Sequence, residues 1–294
     1  MHGDSVNTVV AGRLAAAALA LIAVAGCGST SPTPTASQRT TPSSVSPTPT
    51  GPPDASSTTP APSPQPTRSP SPSTAPTGEQ PITGRLAGTD WTAIPTSRHV
   101  VALTFDAGAN ADGLASILDT LQRDNVPATF FLTGNFARDY PSAARAIAAA
   151  GYRIGDHTIS HPHLTQLSDA EVRQQILGGA AQITAVTGAN PAPLFRFPYG
   201  DADARTIAIA NRLGYVPVRW TVDTLGWEGT AGHISVAVVV SRVLAALRPG
   251  EIVLMHVGSN PDDHTTFDAE ALPQIITQLR ARGYSFVTLD ALTG

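Results

Sequence analysis

Five short stretches of this sequence carry side chains capable of chemistry. In the first, an apolar β-branched run, Val100–Thr104 continued by Phe105, ends in the carboxylate of Asp106. Ala107, Gly108 and Ala109 follow and are too small to cover it. An acid at the C-terminal end of a parallel strand stands where α/β proteins place their chemistry; the competing reading is a cap for the next helix or turn. In the second stretch His157 and His161 are spaced to share one face of a helical turn, where they could grip one cation. Imidazole suits zinc and neighbouring transition metals, and two such ligands leave positions open for carboxylate, water and substrate. His163, beyond Pro162, adds nothing to that spacing. In the third, Phe195-Arg196-Phe197-Pro198-Tyr199-Gly200, a buried Arg196 would need a carboxylate partner. The fourth runs from Asp223 to Trp227, whose exposed indole could floor a sugar pocket, and the fifth is Leu254-Met255-His256. Each stretch taken singly has a structural explanation. Together they bring two acids, three histidines, an arginine and an indole to one edge of a sheet or barrel, which packing and solvation do not explain.

The elements that must position them alternate. Strand patterns fall at 100–106, Ala128–Leu132, Tyr152–Asp156, Leu194–Phe197, Tyr215–Val222, Glu251–His256 and Phe286–Leu289. Between them lie helical faces: Leu114, Ile117, Leu118 and Leu121; a segment near 141–150 closed by Gly151; and a capping box, Ser168 to Glu171, opening a helix that turns Val172, Ile176 and Ile183 inward and stops at Gly188. Further helices are expected over 203–213, over 234–247 up to Arg248-Pro249-Gly250, and through Leu272, Ile275, Ile276 and Leu279 to Gly283. Gly84–Ser97, with Trp91, reads as a lead-in packed on this domain. Such alternation argues a parallel α/β fold. Seven strands are one short of the usual eight-fold barrel, so a distorted (β/α) barrel is expected, with an open doubly wound sheet as the alternative.

The motifs Thr-Phe-Asp106-Ala-Gly, His157-Thr-x-x-His161, Arg196-x-Pro-Tyr-Gly, Asp223-x-x-x-Trp227 and Leu254-x-His256, in this order, resemble those of the polysaccharide deacetylases (the NodB-homology domain, carbohydrate esterase family 4) over roughly residues 98–290. The resemblance implies a distorted barrel of about seven strands in which a divalent metal, zinc foremost and cobalt, nickel or manganese as substitutes, helps remove acetyl groups from N-acetylated sugars. It implies Asp106 as general base, His256 as general acid, and His157 and His161 as metal ligands. Arg196 would position the base and Asp223 would tether Arg196. Pro198, Tyr199, Trp227 and Leu254 would line the substrate groove. Ala107 departs from the pattern, since the family usually carries a second Asp there as third metal ligand; Asp112, Asn110 or water would have to fill that place.

Composition bounds the partners and the compartment. A formal net charge of −4, with 14% charged residues, gives no electrostatic footprint for nucleic acid. The single cysteine excludes a disulfide framework or a thiolate metal cage. Residues 1–26 read as an export signal: Arg13, an apolar run Leu14–Ala25 too short to span a bilayer, and Val24-Ala25-Gly26 before Cys27, which resembles a bacterial lipobox. A lipid on Cys27 would hold the chain at the outer face of the cell membrane; without it the protein would be secreted. Residues 27–83 are rich in Ser, Thr and Pro, cannot bury enough apolar surface to offset chain ordering, and read as a disordered spacer. The domain at 84–294 is expected to be a monomer acting on a cell-wall glycan, peptidoglycan by inference from location. Chitin oligomers, O-acetylated xylan, and a catalytically silent glycan-binding lipoprotein are the alternatives.

Overall fold

The structure is a computed structural model that describes residues 80–294. The export signal, Cys27 and nearly all of the expected spacer lie outside the described residues. Strand β1 (Val100–Ala107) is buried along its whole length, as its uninterrupted apolar run requires of a strand covered on both faces. After it come α1 (Leu114–Arg123), β2 (Ala128–Leu132), α2 (Gly134–Asp139), α3 (Pro141–Ala149), β3 (Arg153–Asp156), α4 (Asp169–Thr187), β4 (Leu194–Phe195), α5 (Ala204–Arg212) and β5 (Val216–Pro217). The chain continues through β6 (Val222–Asp223), α6 (Val236–Ala246), β7 (Glu251–His256), α7 (Phe267–Ala281), β8 (Ser285–Phe286) and α8 (Asp290–Thr293).

All pairings between these strands are parallel, in the order β5-β4-β3-β2-β1-β7-β6, with β8 joining the start of β1. From β1 to β5 each strand lies beside its predecessor, the progression of a barrel rather than the reversal of a doubly wound sheet. The expected distorted barrel is therefore present, as an incomplete barrel of seven parallel strands with the eighth set at its edge. Helix boundaries follow local chemistry: the capping box joins Ser168 and Glu171, and Gly188 ends α4 in the left-handed region at φ 73°. The lead-in packs on the barrel through bridges Trp91 to Val218 and Ala93 to Glu251, with Ile94 buried.

One strand expectation fails informatively. Tyr215–Val222 is not one strand but two, β5 pairing with β4 and β6 with β7. Between them the carbonyls of Val218 and Arg219 accept hydrogen bonds from the Arg196 Nε and Nη2, at 3.1 and 3.0 Å. The break in the strand thus supplies acceptors to a guanidinium that the core would otherwise leave unsatisfied. The last strand is likewise shorter than expected, ending at Phe286 before α8 begins at Asp290.

Candidate active site

Parallel pairing places Asp106 on β1 in register with His256 on β7, at the C-terminal ends of both strands. Arg196, just past β4, is fully buried and donates from Nη1 to Asp106 Oδ1 at 2.7 Å and to the Thr104 hydroxyl at 3.0 Å. The Thr104 hydroxyl in turn donates to the Val253 carbonyl. Burial alone would raise the Asp106 carboxyl, but the charge and hydrogen bond of Arg196 foremost outweigh it and hold it below the usual carboxylate range. Asp106 is therefore ionised, and the carboxylate that Arg196 required is found. Asp223 does not tether Arg196: its Oδ1 accepts from the Leu225 N–H at 2.9 Å, and no ion pair joins it to Arg196 among the described residues. The guanidinium has no need of it, since two carbonyls, a hydroxyl and Asp106 already take its donors.

His157 and His161 meet, although not on a helix. Thr158 and His161 both have left-handed backbones, at φ 71° and 61°. The Thr158 N–H donates to Asp156 Oδ1 and the His161 N–H to Thr158 Oγ1. This side-chain-stapled turn replaces the expected helical turn and brings the two rings edge to face with centroids 4.7 Å apart. His157 Nδ1 donates to the Arg196 carbonyl at 2.8 Å, which leaves the lone pair on Nε2. That Nε2 is buried without a hydrogen-bond partner, 3.4 Å from Asp106 Oδ2. Burial depresses both imidazoles, His161 to about 3, so both are neutral. Two neutral imidazoles, one with an orphaned and oriented lone pair, are the donor set a divalent cation takes.

A third protein ligand is not in place. Among the described residues no three His, Cys, Asp or Glu side chains are arranged to hold a metal ion. Ala107 is fully buried in the main apolar cluster beside Leu103 and Phe105. Asp112 accepts from the Ser259 hydroxyl at 2.6 Å, and Asn110 accepts from the Ser259 N–H while donating to its carbonyl. These two side chains lock the β1 and β7 loops together. Gly113 holds the cap position of α1, without a side-chain bond.

His256 has a partner that the sequence did not reveal. Asp268, in the first turn of α7, is 3% exposed; its Oδ2 accepts from the His256 backbone N–H at 2.8 Å and lies 3.6 Å from His256 Nδ1. Its other oxygen accepts from the Thr224 hydroxyl at 2.6 Å. Burial would depress the imidazole, but Asp268, with Asp106 and Asp223 behind it, raises its pKa above the ordinary value. An acid in a first helical turn reads as a complement to the helix dipole. Only burial distinguishes Asp268 from that reading.

A cavity of about 540 Å³ opens over these groups, lined by Asp106, His157, His161, Asp223, Leu254 and His256, with Tyr199 and Trp227 exposed at its rim. Tyr199 takes a left-handed backbone at φ 59° in the turn Pro198–Gly200, stacked on His163 at 4.1 Å and edge-on to His161. His163, dismissed on spacing, therefore supports the rim; its Nδ1 is 3.0 Å from Asp201 Oδ2. Pro198 is buried and does not line the cavity: it starts the turn that presents Tyr199.

Residues 93–218 match the sequence profile of the polysaccharide deacetylase family. The chain is 36% identical over 198 residues to the peptidoglycan-N-acetylglucosamine deacetylase of Bacillus cereus, covering 67% of this chain and 70% of that protein. The chain belongs to the polysaccharide deacetylase family. A chitooligosaccharide deacetylase of Bradyrhizobium sp. is 35% identical over 203 residues, covering 65% of this chain and 90% of that one. Among solved structures, a family 4 pseudoenzyme from Bacillus anthracis superposes with a TM-score of 0.61 at 30% identity, over 67% of this chain and 66% of its own. The barrel described above is thus that of a polysaccharide deacetylase domain.

Proposed function

We propose that this chain removes N-acetyl groups from a cell-wall glycan, the amino sugars of peptidoglycan first, with the help of a divalent metal, zinc foremost. One observation carries the reading: Asp106 and His256, register partners on adjacent strands, are pushed in opposite directions, the carboxyl below its usual range by Arg196 and the imidazole above its ordinary value by Asp268. Titratable groups driven apart in this way mark a base and an acid. His157 and His161 would hold the cation. When bound, it would polarise the acetamide carbonyl and lower the pKa of water. Asp106, anchored by Arg196, takes the proton of the attacking water. His256, oriented by Asp268, delivers a proton to the departing sugar amine, so that free amine and acetate leave. Leu254 fits the acetyl methyl, while Tyr199 and Trp227 bracket the sugar.

The relatives that support this substrate class act, by their names, on peptidoglycan N-acetylglucosamine and on chitooligosaccharides. In this reading a lipid on Cys27 tethers the protein outside the cell, and Cys27→Ser would move it from the membrane fraction to the medium. The second reading, a silent glycan-binding protein, is favoured by Ala107 and by the pseudoenzyme relative. Acetate release from peptidoglycan and from chitin oligomers, by the purified chain with added zinc or cobalt and with a chelator, separates the two. Glycan binding without acetate release under any metal would leave the silent reading.

A further inference from the structure

Trp227 exposes 47% of its surface, yet its turn is held from both sides. It lies in the turn Gly226–Glu228, bracketed by two left-handed residues, Leu225 at φ 60° and Gly229 at φ 66°. A leucine holds that conformation only where its surroundings impose it. On one side of the turn, any side chain at Gly226 would collide with the Asp268 carboxylate. On the other side stands the loop after β7. Asn260 is buried; its Nδ2 donates to the Trp227 carbonyl at 2.9 Å, while its Oδ1 accepts from the N–H groups of Asp262 and Asp263. Asp263 Oδ2 accepts from the Thr230 N–H at 2.7 Å and from its hydroxyl at 2.6 Å. Its Oδ1 accepts from the Thr265 N–H and hydroxyl at 3.0 and 2.7 Å. A Cβ at Gly229 would stand 2.7 Å from the Asn260 amide, so the two loops meet where only glycine fits.

Core packing gives no reason to fix an exposed indole so firmly. The indole lines the cavity beside Pro261, edge-on to His256 with centroids 6.2 Å apart. We propose that Asn260 and Asp263 are positioning residues that latch the Trp227 turn to the loop after β7, holding the indole as a preformed platform for the apolar face of a pyranose ring of the glycan. The nature of that glycan rests on the deacetylase reading above. A platform ordered before binding spares the complex the cost of ordering it. Because the stacked ring is held alike in ground and transition states, loosening the latch acts on KM and leaves kcat.

The test uses a pentamer of N-acetylglucosamine with the full chain, its Asn260→Ala, Asp263→Ala, Thr230→Val and Trp227→Ala variants, and the first two combined with Trp227→Ala. Melting temperature and circular dichroism are followed for each. Removing a hydrogen bond of this kind is expected to raise KM about fivefold, equivalent to about 1 kcal/mol, with kcat within twofold of wild type. In the Trp227→Ala background Asn260→Ala and Asp263→Ala should add nothing, since their effect runs through the indole. The peripheral Thr230→Val, which keeps every buried group, should raise KM in the same direction even if Asn260→Ala folds poorly. Losses of kcat matching those of KM, or effects that persist undiminished without the indole, would overturn the latch. If the wild type binds the pentamer but releases no acetate, the deacetylase reading fails alone, and the same series read as Kd by calorimetry still decides the latch. If the wild type does not bind it, the platform falls, while acetate release from peptidoglycan still decides the deacetylase reading.

Discussion

The Asp268 carboxylate sits behind His256, bonded to its backbone N–H at 2.8 Å and 3.6 Å from its Nδ1. A helix and the end of a strand thereby share one buried acid, and the imidazole meant to donate a proton faces a negative charge that favours its charged form. In the proposed mechanism His256 acts in its protonated form, so activity is expected to fall as pH rises through its raised pKa.

Asp268→Asn is expected to move the alkaline limb of the kcat/KM profile to lower pH. Asparagine keeps an oxygen for the His256 N–H while removing the charge, so the limb should move without loss of fold. The raised His256 pKa also contributes stability that is present below the unfolded-state pKa and lost as pH rises through the folded one. The difference in Tm between wild type and variant should therefore shrink on going from pH 6 to pH 9.

Arg196→Met should move the acidic limb upward, because Asp106 then loses the charge that holds its carboxyl down. The depressed pKa contributes stability above the unfolded-state value that is lost as pH falls through the folded one. Stranding a buried carboxylate costs about 3–5 kcal/mol, so a lowered melting temperature near neutral pH is expected too. Asp223→Asn, by contrast, should leave the acidic limb in place, since Asp223 bonds to Leu225 and not to Arg196. An acidic limb moved equally by both variants would contradict this geometry.

Asp106→Asn and His256→Ala should each lower kcat by about 10²–10⁴-fold, the range of general acid–base contributions; Asp106→Asn should also lower the melting temperature, since it leaves the buried Arg196 guanidinium without its counter-charge. Acetate release is the readout and circular dichroism the control. Near-normal turnover by either would reassign the base or the acid.

His157→Ala and His161→Ala should each weaken zinc binding measured by calorimetry, whereas Asp112→Ala should leave it unchanged because that carboxylate is held by Ser259. A loss of zinc affinity in Asp112→Ala would mean that the loop rearranges to bring the carboxylate to the metal.

The sequence by itself determined the alternating elements, the parallel α/β class and the residues at its working edge, while the strand order decided the barrel over a doubly wound sheet. Asp106, His157, Arg196 and His256 could be named because each follows a strand-like run or a turn signal, and local periodicity dictates which strand end carries them. The pairing of Arg196 with Asp106 was also legible, since a buried guanidinium must find a carboxylate. What local pattern could not decide were contacts made across the barrel. The split of Tyr215–Val222 into two strands depends on acceptors demanded by Arg196. The meeting of His157 with His161 depends on the Thr158 hydroxyl and not on helical spacing. The place of Asp268 beside His256, and the hold of Asn260 and Asp263 on the Trp227 turn, join segments that only the closing of the barrel brings together. An acid that looks like a helix-dipole partner in sequence becomes a buried neighbour of His256 because the start of α7 meets the end of β7, and burial is a property of the tertiary structure alone.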